Sequence, residues 1–270
     1  MRDLAPNDNA MQTRAEFTAG LPQLDIYTLS EDWALATALE SHWRILADCL
    51  GLPPSKWLDR SGARMYGAVI YLATQFDLDD PLKEDDAFTA ETRFRAIRKP
   101  HALSTTRFMV NGKAIASVDM LTCFIKRQQS GSNKKFSKTR DIWTSDEFND
   151  QAIEELLDQH HGLKDHCDKG EVTMTYEVNR IQDFNTADFL YFKNFVGIAK
   201  AAEWRHRRGG PVHLNATREA FFYGNVEDGQ IISTKVSTDE GVTQTSHHSD
   251  DGRRIFLSLA NCLPVQVAER

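Results

Sequence analysis

Apolar positions along this chain change their spacing from helical to strand-like, and they do so in the same order in each half. In the first half, Trp33, Leu35, Leu39, Trp43, Leu46 and Leu50 supply one apolar helical face. Ser30 stands where an N-cap belongs, Glu31 and Asp32 acidify the first turn, and Gly51 with Pro53 and Pro54 stops the helix near residue 50. A segment at 17–24 precedes this helix, and the later spacing predicts strands over 65–74, 87–98, 103–110 and 115–126. Asn111-Gly112, between the last two, predicts a tight hairpin, because both residues tolerate the left-handed backbone such a turn needs.

The second half repeats the plan. Val172, Met174, Tyr176 and Val178 alternate with polar residues over 171–181, and Phe189, Phe192, Phe195, Val196, Ala199 and Ala202 predict a helix from 189 to 208. Strands are predicted near 212–226, 230–237, 242–248 and 254–263, with Asp251-Gly252 standing where Asn111-Gly112 stood. A repeat of about a hundred residues is too long for a solenoid and suits a duplicated domain. The expected organisation is a loose polar tail at 1–16, a first domain at 17–127, a linker at 128–170 and a second domain at 171–270. Within the linker, Thr144 and Glu147 form a candidate capping box for one short helix, with Phe148, Ala152, Leu156 and Leu157 on its apolar face.

Composition and charge narrow the function classes. At 270 residues the chain accommodates two modest domains, and its net charge of -7 disfavours general nucleic-acid binding. No apolar run approaches the ~20 residues of a membrane span, and 1–16 lacks an apolar signal core, so a cytoplasmic protein with no membrane partner is expected. Cys49, Cys123, Cys167 and Cys262 lie far apart without CxxC pairing, as reduced thiols do. Two basic clusters stand out: Arg205, His206, Arg207 and Arg208 at the end of the second helix, and Lys134, Lys135, Lys138 and Arg140 after the first half. The first complements a helix dipole; alternatively, one of the two holds coenzyme A phosphates or receives an acidic carrier protein. His160, His161, His166 and Cys167 follow no standard zinc spacing, so no metal is expected. There is no GxGxxG turn, Walker loop or GxSxG elbow to support nucleotide or serine-hydrolase chemistry.

The chemistry falls at the junction of strand and helix in the second half. The run Asp183-Phe184-Asn185-Thr186-Ala187-Asp188-Phe189-Leu190-Tyr191-Phe192-Lys193-Asn194-Phe195 resembles the active-site turn of hotdog acyl-thioester enzymes of the 4-hydroxybenzoyl-CoA thioesterase type. More closely, it resembles the second half of the leinamycin-pathway family of acyltransferase/decarboxylases from polyketide gene clusters. The resemblance implies an α+β double hotdog, two tandem hotdog domains whose continuous antiparallel sheet wraps two long helices.

In the thioesterases that turn carries a carboxylate; here the resemblance puts Asn185 at its position, with Asp183 two residues earlier. An amide takes no proton at neutral pH but donates hydrogen bonds, which favours positioning or oxyanion stabilisation over simple hydrolysis. Both residue types equally suit helix capping. Tyr66, in the run Arg64-Met65-Tyr66-Gly67-Ala68-Val69-Ile70-Tyr71, best matches the family's catalytic tyrosine, with Tyr71 as competitor. The run Arg218-Glu219-Ala220-Phe221-Phe222-Tyr223-Gly224-Asn225 resembles a strand end that lines the acyl tunnel. It gives Tyr223 and Asn225 as substrate-binding candidates, joined by Arg205 and Arg208 for the phosphates. The implied activity is acyl transfer with decarboxylation on a malonyl-type CoA, delivering the product to an acyl carrier protein. Coenzyme A enters as thioester substrate, no cofactor is needed, and a homodimer is compatible. A thioesterase or dehydratase, or a non-catalytic acyl-binding module, stands as the alternative.

Overall fold

Ser30 caps the first long helix, α1 (Glu31–Leu50), its hydroxyl accepting from the Trp33 N–H. The helix ends at Gly51, whose φ of 63° is cheap only for glycine, and the Gly51 and Leu52 N–H groups close back on Asp48 and Ala47. The computed structural model describes residues 11–141, 147–165, 168 and 170–265. In chain order its strands are β1 (Gln12–Thr18), β2 (Tyr66–Phe76), β3 (Ala87–Arg98), β4 (His101–Val110), β5 (Lys113–Arg127), β6 (Phe136–Lys138), β7 (Val172–Glu177), β8 (His213–Phe222), β9 (Ile231–Asp239), β10 (Val242–His248) and β11 (Arg254–Pro264). The other α-helices are α2 (Asp150–Lys164), α3 (Arg180–Asp183) and α4 (Phe192–His206).

The strand order is β1-β3-β4-β5-β2-β8-β11-β10-β9-β7, with β6 beside β5. Taken inward from its two ends, this order is the same list twice, β1-β3-β4-β5-β2 and β7-β9-β10-β11-β8, which is the duplication expected from the spacing. The chain divides into two compact units, 1–68 with 76–126 and 137–156, and 69–75 with 127–136 and 157–270. The middle of β2 thus groups with the second unit, where Tyr71–Gln75 pairs antiparallel with Thr217–Phe221 of β8. The stretch 128–170 is shared between the units.

In the first unit α1 lies on β1, β3 and β4. Its Ile45, Leu46 and Leu50 pack with Phe94, Ile97, Ala102, Phe124, Trp57 and Met65. In the second, α4 lies on β7, β9 and β10, and the Phe195 ring meets Phe222 and Phe256 at 5.6 and 5.9 Å. Each core holds a polar side chain at the twelfth residue counted from its helix start. In α1 it is His42, whose ring nitrogens meet Ser104 Oγ at 2.7 Å and Thr122 Oγ1 at 2.8 Å. In α4 it is Glu203, which accepts from the Arg218 guanidinium at 2.8 and 3.0 Å and from Thr245 Oγ1 at 2.9 Å.

Several elements depart from the sequence expectation. Residues 12–16, expected in a loose tail, form most of β1 and pair with β3. The linker helix is not short: it runs fifteen residues from Asp150, and it buries Ile153 most deeply. Glu147 lies outside it, its carboxylate taking the Lys99 N–H at 2.7 Å, and Phe148 forms a bridge with Ile97. Thr144 lies outside the described residues. Asn111-Gly112 turns as expected, with φ of 48° and 82°, and Glu240-Gly241 makes an equivalent turn between β9 and β10 with Glu, not Asn or Asp, at its first left-handed position. Asp251-Gly252 instead belongs to a wider turn closed by Ser249 and Arg253, with only Gly252 left-handed.

Candidate functional site

The loop from Asp183 to Tyr191 is held by side chains from several other parts of the sequence, Arg127, Asn133, Asn194 and Asn225. α4 begins at Phe192 rather than at 189, so this polar stretch is a loop that leads to the helix, not its first turn. Asn179 caps the short α3, its side chain accepting from the Ile181 N–H. Asp183 follows at the end of α3 and is buried; its carboxylate accepts from the Tyr176 hydroxyl at 2.9 and 3.0 Å and from the Asn179 N–H at 2.8 Å. Burial, reinforced by that carboxylate, pushes the Tyr176 phenol above its ordinary pKa.

Asn185 is exposed, and its Oδ1 accepts from the Ala187 and Phe189 N–H groups at 3.0 and 3.2 Å. The capping role its residue type allowed is therefore real, but it caps the loop and not α4. Asp188, left-handed at φ 61°, pairs with Arg180 at 3.0 Å. Asn225 reaches across to hold both backbone groups of Leu190, Oδ1 accepting from its N–H at 3.0 Å and Nδ2 donating to its C=O at 3.1 Å. Arg127 Nη2 donates to the Ala187 and Asp188 carbonyls at 2.7 and 3.0 Å, and its guanidinium lies 4.1 Å from the Phe189 ring centroid. Asn133, itself fixed by Glu227, donates to the Asp188 carbonyl at 2.7 Å. Asn194, inside α4, donates to the Asp183 carbonyl at 2.9 Å.

What this clamp presents is the N-terminus of α4. Tyr191 occupies the N-cap without a side-chain hydrogen bond to the helix, and the first turn carries no acid. The Asn194 N–H already donates to the Tyr191 carbonyl at 2.8 Å, so it is the N–H groups of Phe192 and Lys193, which a helix leaves without an intrahelical partner, that with the helix dipole favour a negative charge placed there. The two carboxylates of the loop are already committed, Asp183 to Tyr176 and Asn179, Asp188 to Arg180.

The residues singled out from sequence do not all meet. Tyr66 opens β2 in the first unit, half-buried, with the Arg64 guanidinium 5.6 Å from its ring centroid. Tyr71, its competitor, is a core residue whose hydroxyl donates to Glu219 at 2.8 Å. Tyr223 packs on the His160 ring at 4.6 Å; its hydroxyl is buried with no hydrogen-bond partner among the described residues, and burial pushes its pKa up to about 12. Asn225 belongs to the loop clamp. Arg205 and Arg208 are exposed at the other end of α4, about 20 Å from Phe192 by helix rise, so they join neither Tyr223 nor Asn225. His160 Nε2 meets the Phe222 carbonyl at 3.0 Å, while His166 and Cys167 lie outside the described residues. Among the described residues no group of three His, Cys, Asp or Glu is placed to hold a metal ion, and no helix is long and apolar enough to cross a membrane.

Arg127, Asn133, Tyr176 and Asn194 were not apparent as site residues from the sequence. Arg127 and Asn133 act on a loop some sixty residues away, and no local pattern marks such a pairing.

No protein-family model and no curated protein matches the chain. Solved structures do resemble it. The 12:0-ACP thioesterase from Umbellularia californica superposes with a TM-score of 0.68 at 9% identity, over 94% of this chain and 98% of that one. An acyl-ACP thioesterase from Bacteroides thetaiotaomicron gives 0.65 at 11% identity, over 95% and 100%. A MaoC-like dehydratase from Phytophthora capsici gives 0.52 at 12% identity, over 97% and 100%. Taken with the doubled strand order and one long helix on the sheet of each unit, these likenesses make the fold of this chain a double hotdog.

Proposed function

We propose that the protein processes acyl thioesters at the N-terminus of α4, as an acyltransferase/decarboxylase on a malonyl-type CoA that passes the product to an acyl carrier protein. The observation that carries this reading is the pairing of an acid-free helix N-terminus with a clamped loop whose carboxylates are all engaged. Hydrolysis needs a general base to activate water. Decarboxylation needs none: the bond to the carboxylate breaks, carbon dioxide leaves, and the electron pair passes into an enolate that the N–H groups of α4 stabilise. In this reading Asn185 Nδ2 is a further donor, since the amide oxygen is spent on the loop. On the resemblance alone, Tyr66 either attacks the thioester carbonyl through its phenol oxygen, the C–S bond breaking and the CoA thiol leaving with the phenol proton, or gives that proton to the enolate. Lys134 and Lys135, which follow the loop-clamping Asn133, are better placed than Arg205 and Arg208 to meet phosphates near the loop.

The alternative is a thioesterase or dehydratase on carrier-bound chains, which the names of the similar solved structures favour. Intact mass spectrometry on a mixture of the protein, malonyl-CoA or methylmalonyl-CoA and a holo carrier protein tests the choice. Decarboxylated acyl groups on the carrier support transfer. Free acid and free CoA with an unloaded carrier support hydrolysis. Saturable binding without turnover makes the protein an acyl-binding module. In the first case Asn185→Ala slows turnover about a hundredfold or more, and Tyr66→Phe abolishes it. Unchanged rates in both Tyr66→Phe and Asn185→Asp remove these residues from the mechanism.

A further inference from the structure

β1 ends the strand order on one side and β7 on the other. A terminal strand offers a row of backbone donors and acceptors on which another chain can add. The two ends differ in what they offer a second copy of this chain. β1 pairs with β3 over all seven residues without a register shift, and it contains no proline. On its outer face it carries one positive and one negative side chain, Arg14 and Glu16, which lie 3.7 Å apart as a loose ion pair and keep 60% and 80% of their side-chain surface exposed. They flank Ala15. An antiparallel pairing of β1 with itself about Ala15 therefore sets Arg14 of each copy opposite Glu16 of the other, and Thr13 opposite Phe17.

β7 reads differently under the same operation. Within the span 171–177 that self-pairing about Met174 would join, the charged residues are Glu171 and Glu177, both acidic, and that pairing brings them face to face. Its ladder with β9 also shifts register between Val172 and Met174. Opposite charges across a strand pair stabilise it and like charges destabilise it, so one end of the strand order is self-complementary and the other self-repelling.

We propose that the outer edge of β1 is a self-association surface, on which a second copy adds its own β1 antiparallel about a two-fold axis through Ala15. Such an interface is isologous, each copy giving the same strand and receiving it, and it closes at two copies. Arg14 keeps its neighbour Glu91, at 3.2 Å, on the opposite side of the strand from the incoming chain. A single added ladder is smaller than a standard interface, so the association is weak, with a dissociation constant on the order of 10 μM or above.

Sedimentation velocity on the full chain over a range of micromolar concentrations tests the surface. A monomer–dimer equilibrium is expected. Arg14→Glu and Glu16→Arg each turn both symmetry-related charge pairs from attractive to repulsive and weaken the dimer by about tenfold or more. Mixed in equal amounts, the two variants restore opposite charges at every position and form a heterodimer at least as tight as the unmodified dimer. Both side chains are exposed, so unchanged circular dichroism confirms that the variants fold. A chain that stays monomeric throughout, a dimer that neither variant weakens, or a mixture no tighter than its components overturns the proposal.

Discussion

His42 has both ring nitrogens in short hydrogen bonds and no surface exposed, and burial lowers its pKa from 6.5 to about 3. The folded chain thus holds it neutral, whereas the unfolded chain protonates it as pH falls below about 6.5. Its contribution to stability is complete above that pH and is lost between pH 6.5 and 3, at about 1.4 kcal/mol per pH unit over most of the window. His247, fully buried and lowered to about 4, has the same sign. Urea midpoints measured between pH 7 and 4.5 should therefore fall with acid, and His42→Gln should flatten the fall; an equal slope in the variant would assign it elsewhere. Glu203 is the counterpart in the second unit. Burial raises its pKa, but Arg218, Thr245 and Arg207 outweigh burial and hold it below the ordinary carboxylate value. Removing one partner strands a buried charge: Arg218→Met should cost about 3–5 kcal/mol in denaturant unfolding, and Glu203→Leu with Arg218→Met distinctly less than that single change.

Among the elements, β2 carries a residue whose smallness has a visible reason. A Cβ on Gly67 would fall 2.2 Å from the Trp43 ring, so Gly67→Ala should destabilise by about 1–3 kcal/mol through overpacking, read as a lower urea midpoint at unchanged slope. In the loop clamp, Asn225→Ala removes both ties to Leu190, and amide exchange at Leu190 should quicken while the α4 core stays protected. If Leu190 is protected as before, Asn225 is no clamp. The elements themselves were largely readable. The bounds of β3 follow from alternation alone, and Ser30 and Gly51 fix α1 by local chemistry. The start of α2 was not, because Glu147, placed by sequence in a capping box, is claimed by the distant Lys99 N–H. The candidate site was half-legible. The Asp183–Asn194 run is recognisable, yet what Asn185 and Asn225 do depends on which backbone groups the fold brings to them, and that is set by contacts far along the chain.

For the whole molecule, duplication explains more than strand order. The two units place a polar residue at the same helical position and answer it with hydroxyls from matching strands, Ser104 and Thr122 in one, Thr245 and Ser258 in the other; Thr245 meets Glu203, and Ser258 meets Glu203's partner Arg218. The repeat was visible in the spacing; this shared polar position was not, since His42 and Glu203 have no residue type in common. Duplication also corrects the reading of the first sixteen residues. β1 is the first unit's equivalent of β7, so a chain starting at residue 17 should melt at a lower temperature than the full chain, because it removes most of the strand that pairs with β3. An equal melting temperature would make 12–16 dispensable.

The loop before α4 is tied by Arg127, Asn133, Asn194 and Asn225 and by the internal bonds of Asn185. The four asparagine amides among them carry no proton that titrates in ordinary buffers. The amide ties of the candidate site are therefore indifferent to acidity, so a loop that loosens with pH does so through its carboxylates, Asp183, Asp188 and Glu227.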